Sequence, residues 1–501
     1  MGTENRIATE ADLRIGDVFT PIPWAWFAIE RFNIFQQWMD GATIFDPTMG
    51  QANLLDALIR YGIDKGLQTQ EMPIQKLFGN ELNKKHYTLA LKRFSQHFGM
   101  DMSQNFSNLD ILELPPKPYD IIFGNPPWQN FNDLPASYKE KIKPYFEKYN
   151  LTGNKKNLLL GHSRIDLAAL IVKAAIQNFL SPRGDAYLFM PLSLLLNDGA
   201  HESFRSYTTN TAAFAPIEVF DFNKEDVFKK ISTRYGLIHF RKGQKAEFPI
   251  NYKILNNNKW ELFEAAPITS PSAPLSIFNQ TQSKEINKFS KIALNKKNSP
   301  RQGLNTCGAN DIFFFKECQQ PDNKTCLLNK KVRLPSEFIY PLLTASNFRE
   351  EKAPKAWVLL PYTSDGRPVS KKEIHQWPEL HHYLNRMANR LRIRKGTLIN
   401  SWISKGIWWA MLGVGPYNFA PYKIVWEAYG RKRFSPQIFD GNWQANQALQ
   451  AFIPCYSKKE AKTILKKLQN PIIEKILLSY KMEGTMNWAQ PGKIKKLIDF
   501  F

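Results

Sequence analysis

"YDIIFGNPPW", residues 119–128, runs from an apolar strand pattern into two consecutive prolines and a tryptophan. Tyr119 to Phe123 reads as a buried β-strand, and proline can neither donate to a ladder nor continue a helix, so the strand must stop at the next loop. Ligands of α/β sheets bind beyond the carboxyl ends of strands, which makes this stop a candidate site. The bland reading is a rigid turn. An Asn-Pro-Pro-aromatic run is expected by chance in only roughly one chain in a few hundred of this length, which favours a site. Asn125 offers a side-chain carbonyl acceptor; the prolines stiffen the loop and turn the Pro126 carbonyl outward. Two acceptors beside the flat ring of Trp128 can grip an aromatic amino group, draw its lone pair out of conjugation and leave it nucleophilic while the ring stacks on the base.

Outward from this stretch, strand-like runs alternate with helical patterns between about Gly41 and Phe240. The runs are Ala42–Phe45, Leu77–Phe78, Ile121–Phe123, Ala186–Met190, Ile217–Phe220 and Gly236–Phe240; helix candidates include Asn53–Tyr61 and Asp166–Leu180. That alternation predicts a doubly wound α/β sheet. Residues 244–300, with Asn256-Asn257-Asn258 and the Pro/Ser-rich Ala266–Pro274, read as a linker. Beyond residue 300 the alternation is lost. Short strands, aromatic-rich loops and an amphipathic helix at Lys458–Leu468 predict a separate α+β domain over 301–501.

The first half also carries the outline of a nucleoside pocket. "TIFDPTMGQANLL", residues 43–55, is a strand ending in Asp46-Pro47, then a small-residue turn, then an apolar helix. Gly50 allows backbone and ligand to approach closely, and the acidic strand end suits a cofactor bearing an ammonium group better than a pyrophosphate. Glu81 follows the next strand, where an acidic residue takes ribose hydroxyls. Asp110, in Leu109–Leu112, is placed to accept from an adenine amino group. Each alone reads as a surface carboxylate; in order, beside successive strands, they form a set.

Charge divides the chain. Of 501 residues, 1–240 hold 25 Lys+Arg and 26 Asp+Glu, whereas 241–501 hold 42 and 19, so the whole net charge of +22 lies in the second half. A basic half beside a neutral one points to a polyanion-binding module attached to a module with another task. Asn385–Lys395, with Arg390, Arg392 and Arg394, and Arg431-Lys432-Arg433 are candidate phosphate or base-edge contacts. Nine of the 13 tryptophans lie beyond residue 250 and read mainly as core. The chain shows neither a signal-like segment nor a run of about 18 apolar residues, so a cytoplasmic protein without a membrane span is expected. Cys307, Cys318, Cys326 and Cys455 lack C-x-x-C spacing, which argues against both a zinc site and a disulfide framework.

These motifs resemble those of the amino-group DNA methyltransferases that use S-adenosylmethionine, specifically the Taq-type (gamma-class) N6-adenine enzymes. The resemblance extends over most of the chain. Phe19-Thr20-Pro21 is similar to their Phe-Thr-Pro cofactor motif, Asp46-Pro47 with Gly50 to Asp-Pro-Pro-x-Gly-x-Gly, and Asn125-Pro126-Pro127-Trp128 to Asn-Pro-Pro-aromatic. Val227-Phe228, ahead of the strand Gly236–Phe240, resembles the segment that sets a ring against the flipped base. Ala52 stands where the second glycine is usual.

The resemblance implies a Rossmann-like methyltransferase sheet with helices on both faces in a catalytic domain, residues 1–243, and a DNA target-recognition domain, residues 301–501. It implies cofactor binding by Phe19, Thr20, Pro21, Asp46, Pro47, Gly50, Glu81, Asp110 and Asn125, and catalysis by Asn125, Pro126, Pro127, Trp128 and Phe228, without a metal. Double-stranded DNA is the implied partner. The residues ahead of Phe19 leave no room for a fused nuclease, so a separate restriction endonuclease is the second implied partner. Two other readings stay open: a protein glutamine methyltransferase, which shares Asn-Pro-Pro-Tyr but needs no large basic domain, and a DNA-specificity protein with a silent methylase site.

Overall fold

The computed structural model describes residues 20–151, 166–197, 201–223, 234–279, 289–348, 353–429, 433–479 and 488–501. Two compact units divide the chain, residues 1–284 and 285–501. Phe19, Val227 and Phe228 lie outside the described residues, as do Arg431 and Lys432.

A ten-stranded sheet organises the first unit. Its strands are β1 (Ile44–Asp46), β2 (Leu77–Asn80), β3 (Phe106–Ser107), β4 (Tyr119–Gly124), β5 (Leu180–Pro191), β6 (Phe214–Asp221), β7 (Tyr235–Lys242), β8 (Ile250–Asn256), β9 (Lys259–Pro267) and β10 (Leu275–Phe278), in the order β10-β9-β8-β6-β7-β5-β4-β1-β2-β3. From β3 to β5 all neighbours are parallel, and β7 runs antiparallel between β5 and β6. Strand order reverses between β1 and β4, so their carboxyl ends flank a crevice.

Both faces of the sheet are covered, and the side-chain period of two shows it. Ile121 and Phe123 of β4 pack with Ala28, Leu55, Leu58 and Phe94, which come from helices α1 (Ile22–Arg31), α3 (Asn53–Asp64) and α4 (Lys84–Phe98); α2 (Ile34–Met39) adds Trp38 to the same core. Ile122 packs the other way, with Ile142 and Phe146 of α5 (Ala136–Lys148) and Leu170 and Ala174 of α6 (Leu167–Phe179). Such double burial explains why these strands are apolar throughout rather than alternating. Each strand expected between Ala42 and Phe240 is present, and the two expected helices are α3 and α6.

The linker expected at 244–300 is corrected. Residues 250–278 form β8, β9 and β10, which extend the same sheet: β8 pairs parallel to β6, and β9 antiparallel to β8. Asn257 and Asn258 both have positive φ, 48° and 60°, and join β8 to β9 as a two-residue hairpin loop, where asparagine is favoured because it tolerates the left-handed region. Trp260 of β9 stacks on Phe27 of α1 with ring centroids 5.2 Å apart, so the added strands share the core of the unit.

Ala52 explains itself in the backbone. It caps the start of α3 at φ 59°, ψ 36°, the left-handed conformation that glycine adopts freely and that costs an L-residue about 1–2 kcal/mol. Ala52→Gly should relieve that strain while losing a fully buried methyl worth about 0.8 kcal/mol and some unfolded-state entropy, for a net change near zero. Ala57→Gly, in the interior of α3 and equally buried, lacks the relief and should cost roughly 1.5–2 kcal/mol. Thermal unfolding of the two variants checks the contrast; equal destabilisation would remove the strain argument.

The second unit mixes small sheets and helices, as an α+β domain should. A four-stranded antiparallel sheet contains 301–302, Gln450–Cys455, Tyr422–Glu427 and Gln437–Asp440, and two three-stranded sheets lie between residues 314 and 359. Near its two ends, Ile292–Leu294 pairs parallel with Ile498–Phe500. The helix expected at Lys458–Leu468 has those bounds, with the Ser457 side chain capping its first turn. Trp408, Trp409, Trp426, Trp443 and Trp488 are buried, which accounts for most of the tryptophan excess. With 36 Lys+Arg against 16 Asp+Glu, against 31 and 29 in residues 1–284, this unit holds nearly all the excess charge. Among the described residues no helix is long and apolar enough to cross a membrane.

Candidate active site

A cleft opens at the carboxyl ends of β1, β2 and β4, enclosing about 960 Å³ with its open mouth included. Thr20, Asp46, Gly50, Glu81, Asp110, Asn125 and Pro127 all line it. Apart from Thr20, which lies just ahead of α1, these residues converge because each ends or follows a parallel strand and faces the crevice at the order reversal.

Asp46 ends β1 and is 2% exposed. Burial holds its carboxyl well above the usual carboxylate range, a bond from the Thr48 N–H (3.1 Å) pulls it back, and the neighbouring charge of Glu81 pushes it up again. A methyl on Gly124 would stand 3.0 Å from Asp46 Oδ1, so the glycine ahead of Asn125 is what lets β4 close on this carboxylate. Gly50, at φ 55°, aims its N–H at Glu81 Oε2 (2.8 Å), while Glu81 Oε1 accepts from the Asn83 N–H (2.7 Å). Glu81 thus ties the turn after β1 to the start of α4.

Asn80 was not singled out from the sequence, yet it stitches the floor of the cleft. Almost fully buried, it donates to the carbonyls of Leu109 (3.0 Å) and Pro47 (3.3 Å) and accepts from Ser107 Oγ (2.8 Å). Asp110 is held from a distant element: Lys141 Nζ of α5 lies 3.0 Å from its Oδ2, and the Leu112 N–H bonds its Oδ1 (3.1 Å). Tyr138, one turn before Lys141, also lines the cleft, and burial with the Asp110 charge raises its phenol. The i, i+3 spacing of Tyr138 and Lys141 puts both on one face of α5, but no local pattern says which carboxylate that face meets.

Asn125 and the Phe-Thr-Pro remnant meet directly. Asn125 Nδ2 donates to Thr20 Oγ1 (3.1 Å), and Thr48 Oγ1 donates to the Asn125 carbonyl (3.3 Å). Pro21 precedes α1, and its carbonyl accepts from the N–H groups of Trp24 and Ala25. Pro126 is buried and does not line the cleft, whereas Pro127 does. Trp128 turns away toward β5 and β7: its indole N–H bonds the Phe189 carbonyl (3.3 Å), and its ring lies 5.4 Å from that of Tyr235 at 32°. The loop beyond is fastened to α6, since Leu167 N–H donates to the Gln129 carbonyl (2.7 Å) and Asn130 pairs with Asp166. Ser193 Oγ (2.9 Å) and His201 Nε2 (3.2 Å) both meet Asp166 Oδ2.

Residues 4–299 match the family model described as N-6 DNA Methylase. The chain belongs to the N-6 DNA methylase family. The match runs through β10, consistent with β8–β10 being part of the sheet. No curated protein matches the chain. Among solved structures, the type IIL restriction-modification enzyme MmeI in complex with DNA is 14% identical, covering 93% of this chain and 65% of that one, with a TM-score of 0.49. A type I restriction-modification methyltransferase subunit from Streptococcus thermophilus is 19% identical over 48% of this chain and 47% of its own, TM-score 0.35. The DNA-bound type ISP enzyme LlaBIII is 13% identical over 91% and 36%, TM-score 0.46. The chain thus spans less than two thirds of each of these relatives.

In the second unit the expected cations sort differently from one another. Arg394 is corrected: its guanidinium is buried and donates to the carbonyls of Leu391 (3.0 Å), Thr306 (2.8 Å) and Trp408 (2.6 Å), so it holds the fold rather than a phosphate. Arg390 is exposed and pairs with Asp311 (2.6 Å), and Arg392 lies over the Trp408 ring at 5.4 Å.

Proposed function

We propose that this chain transfers the methyl group of S-adenosylmethionine to the N6 amino group of an adenine swung out of duplex DNA, in the manner of the Taq-type (gamma-class) enzymes its motifs resemble. One observation carries the reading: Asp46, Glu81, Asp110 and Asn125 line a single cleft at the strand-order reversal of the sheet. Membership of the N-6 DNA methylase family supports it.

The residues fit the cofactor. A buried carboxylate whose ionised form the bare protein disfavours, Asp46, suits an ammonium, Glu81 stands at the place for ribose hydroxyls, and Asp110 with Ile111 and Tyr138 forms the wall for a purine. When bound, S-adenosylmethionine supplies a methyl group on a sulfonium. Asn125, held by Thr20, accepts a hydrogen bond from the target amino group and keeps its lone pair directed at that methyl, so the site works by orientation and polarisation. By resemblance Phe228 is assigned a face of the base, while Trp128, turned toward β5 and β7, braces the loop that carries Asn125. Extruding the adenine costs a few kcal/mol, which contacts elsewhere on the DNA must offset. Residues 1–284 then form the catalytic unit and 285–501 the DNA target-recognition unit of a restriction-modification or related defence system, with a separate endonuclease as partner.

Glu81→Ala should weaken S-adenosylmethionine binding by roughly 1.5–3 kcal/mol, the worth of a charge-assisted hydrogen bond, in calorimetric titration. For the function itself, the chain expressed in a methylation-deficient bacterial host should leave modified adenines at one recurrent sequence of the host DNA. Unmodified adenines throughout, with folded protein that binds the cofactor, would overturn the reading.

A further inference from the structure

Where two helices of the second unit, Pro378–Arg392 and Thr397–Ser404, join, two large aliphatic side chains stand in solvent: Ile393, in the turn, is 76% exposed and Leu398, in the first turn of the second helix, 70%. Scattered exposed aliphatics need no explanation, but these two lie at one helix junction whose backbone is tightly held. Arg394, the next residue after Ile393, is pinned beneath by its bonds to the Leu391, Thr306 and Trp408 carbonyls. Gly396 stands two residues on at φ 128°, a conformation that L side chains rarely adopt, so the chain reverses sharply there. A buried arginine and a glycine turn thus fix a rigid knuckle with its apolar residues outward.

The surroundings of the knuckle are cationic. From Leu380 to Trp426 the sequence contains no Asp or Glu and seven Lys and Arg, of which all but Arg394 and Lys423 are exposed. Arg390, Arg392 and Lys395 flank Ile393, each exposed; Asp311 reaches Arg390 from outside this span. An apolar tip ringed by cations does not suit an ordinary protein interface core, where charge is depleted. It does suit DNA, whose phosphates take the cations and whose base steps accept aliphatic wedges that partly unstack and kink the duplex.

We propose that residues 390–398 are a wedge into duplex DNA, with Ile393 and Leu398 meeting base or sugar surface and Arg390, Arg392 and Lys395 holding the flanking phosphates. The inference rests on DNA being the substrate.

The test uses the full chain and an end-labelled donor–acceptor duplex of about 30 base pairs carrying the modified sequence. The double variant Ile393→Ala, Leu398→Ala should bind it about tenfold or more weakly with the salt slope of wild type, and should lose the bend seen as raised energy transfer. Both side chains are exposed, so its melting temperature should not fall. The double variant Arg392→Gln, Lys395→Gln should instead flatten the log–log salt slope by about 0.9 per lost contact. Cofactor affinity should be unchanged in both. Wild-type affinity and wild-type energy transfer in the aliphatic variant would overturn the wedge. A shift of that variant from dimer to monomer with DNA binding intact would overturn it too, making the knuckle a subunit contact. Wild-type protein that binds the cofactor but no duplex at all would instead strike the functional reading on which the wedge depends.

Discussion

Replacing Asn125 by alanine is expected to lower the methylation rate by about 10²–10³, the usual loss for one preorganised polar contact to a reacting group, while S-adenosylmethionine binds within a few-fold of wild type. The separation is geometric in origin. Asp46, Glu81 and Asp110 supply the charged contacts of the cleft and bond the N–H groups of Thr48, Gly50 and Leu112, while the Asn125 carboxamide donates to Thr20. Thr20→Ala, which removes the group holding the carboxamide, should give a smaller rate loss of the same kind. Single-turnover methyl transfer at saturating cofactor, with calorimetry alongside, reads both quantities. Near wild-type turnover in Asn125→Ala would remove this residue from the chemistry.

Asp46→Asn should uncouple stability from binding. Because burial raises the Asp46 pKa in the bare protein, the protonated form is the one the fold favours; its contribution to stability is complete below the ordinary aspartate pKa and is lost as pH rises through the raised value. Above that value the ionised carboxylate is a cost. Asparagine keeps an acceptor for the Thr48 N–H without the charge, so the variant should melt at the same temperature or higher. Cofactor binding moves the opposite way. An ammonium beside Asp46 favours the carboxylate, so wild-type affinity should rise as pH climbs toward and through the raised value, and the asparagine variant should lose about tenfold or more above it and show a flatter profile. Differential scanning calorimetry and titration over pH check the pair; a lower melting temperature with unchanged affinity would contradict it.

The sheet was legible because double burial writes unbroken apolar runs, and β4 announces its own end with Pro126-Pro127. The three strands after β7 were not legible, for a chemical reason: Asn257 and Asn258 make a hairpin turn with residues that also mark linkers. The order of Asp46, Glu81, Asp110 and Asn125 was readable since each ends a strand or comes soon after one, and all four line the cleft. Contacts set by packing left no trace. Lys141 and Tyr138 come to Asp110 from a helix whose docking no short pattern fixes. Arg394 looked like its neighbours Arg390 and Arg392 because helical spacing alone does not say which guanidinium is buried, and three backbone carbonyls decide it.

Adenine methylation is tested most directly by incubating the purified chain with methyl-labelled S-adenosylmethionine and duplex DNA, digesting the DNA to nucleosides and finding where the label lies. The label should lie in N6-methyldeoxyadenosine and be absent with Asn125→Ala. Label in another nucleoside, or in the glutamine of a protein substrate with none in DNA, would contradict the assignment.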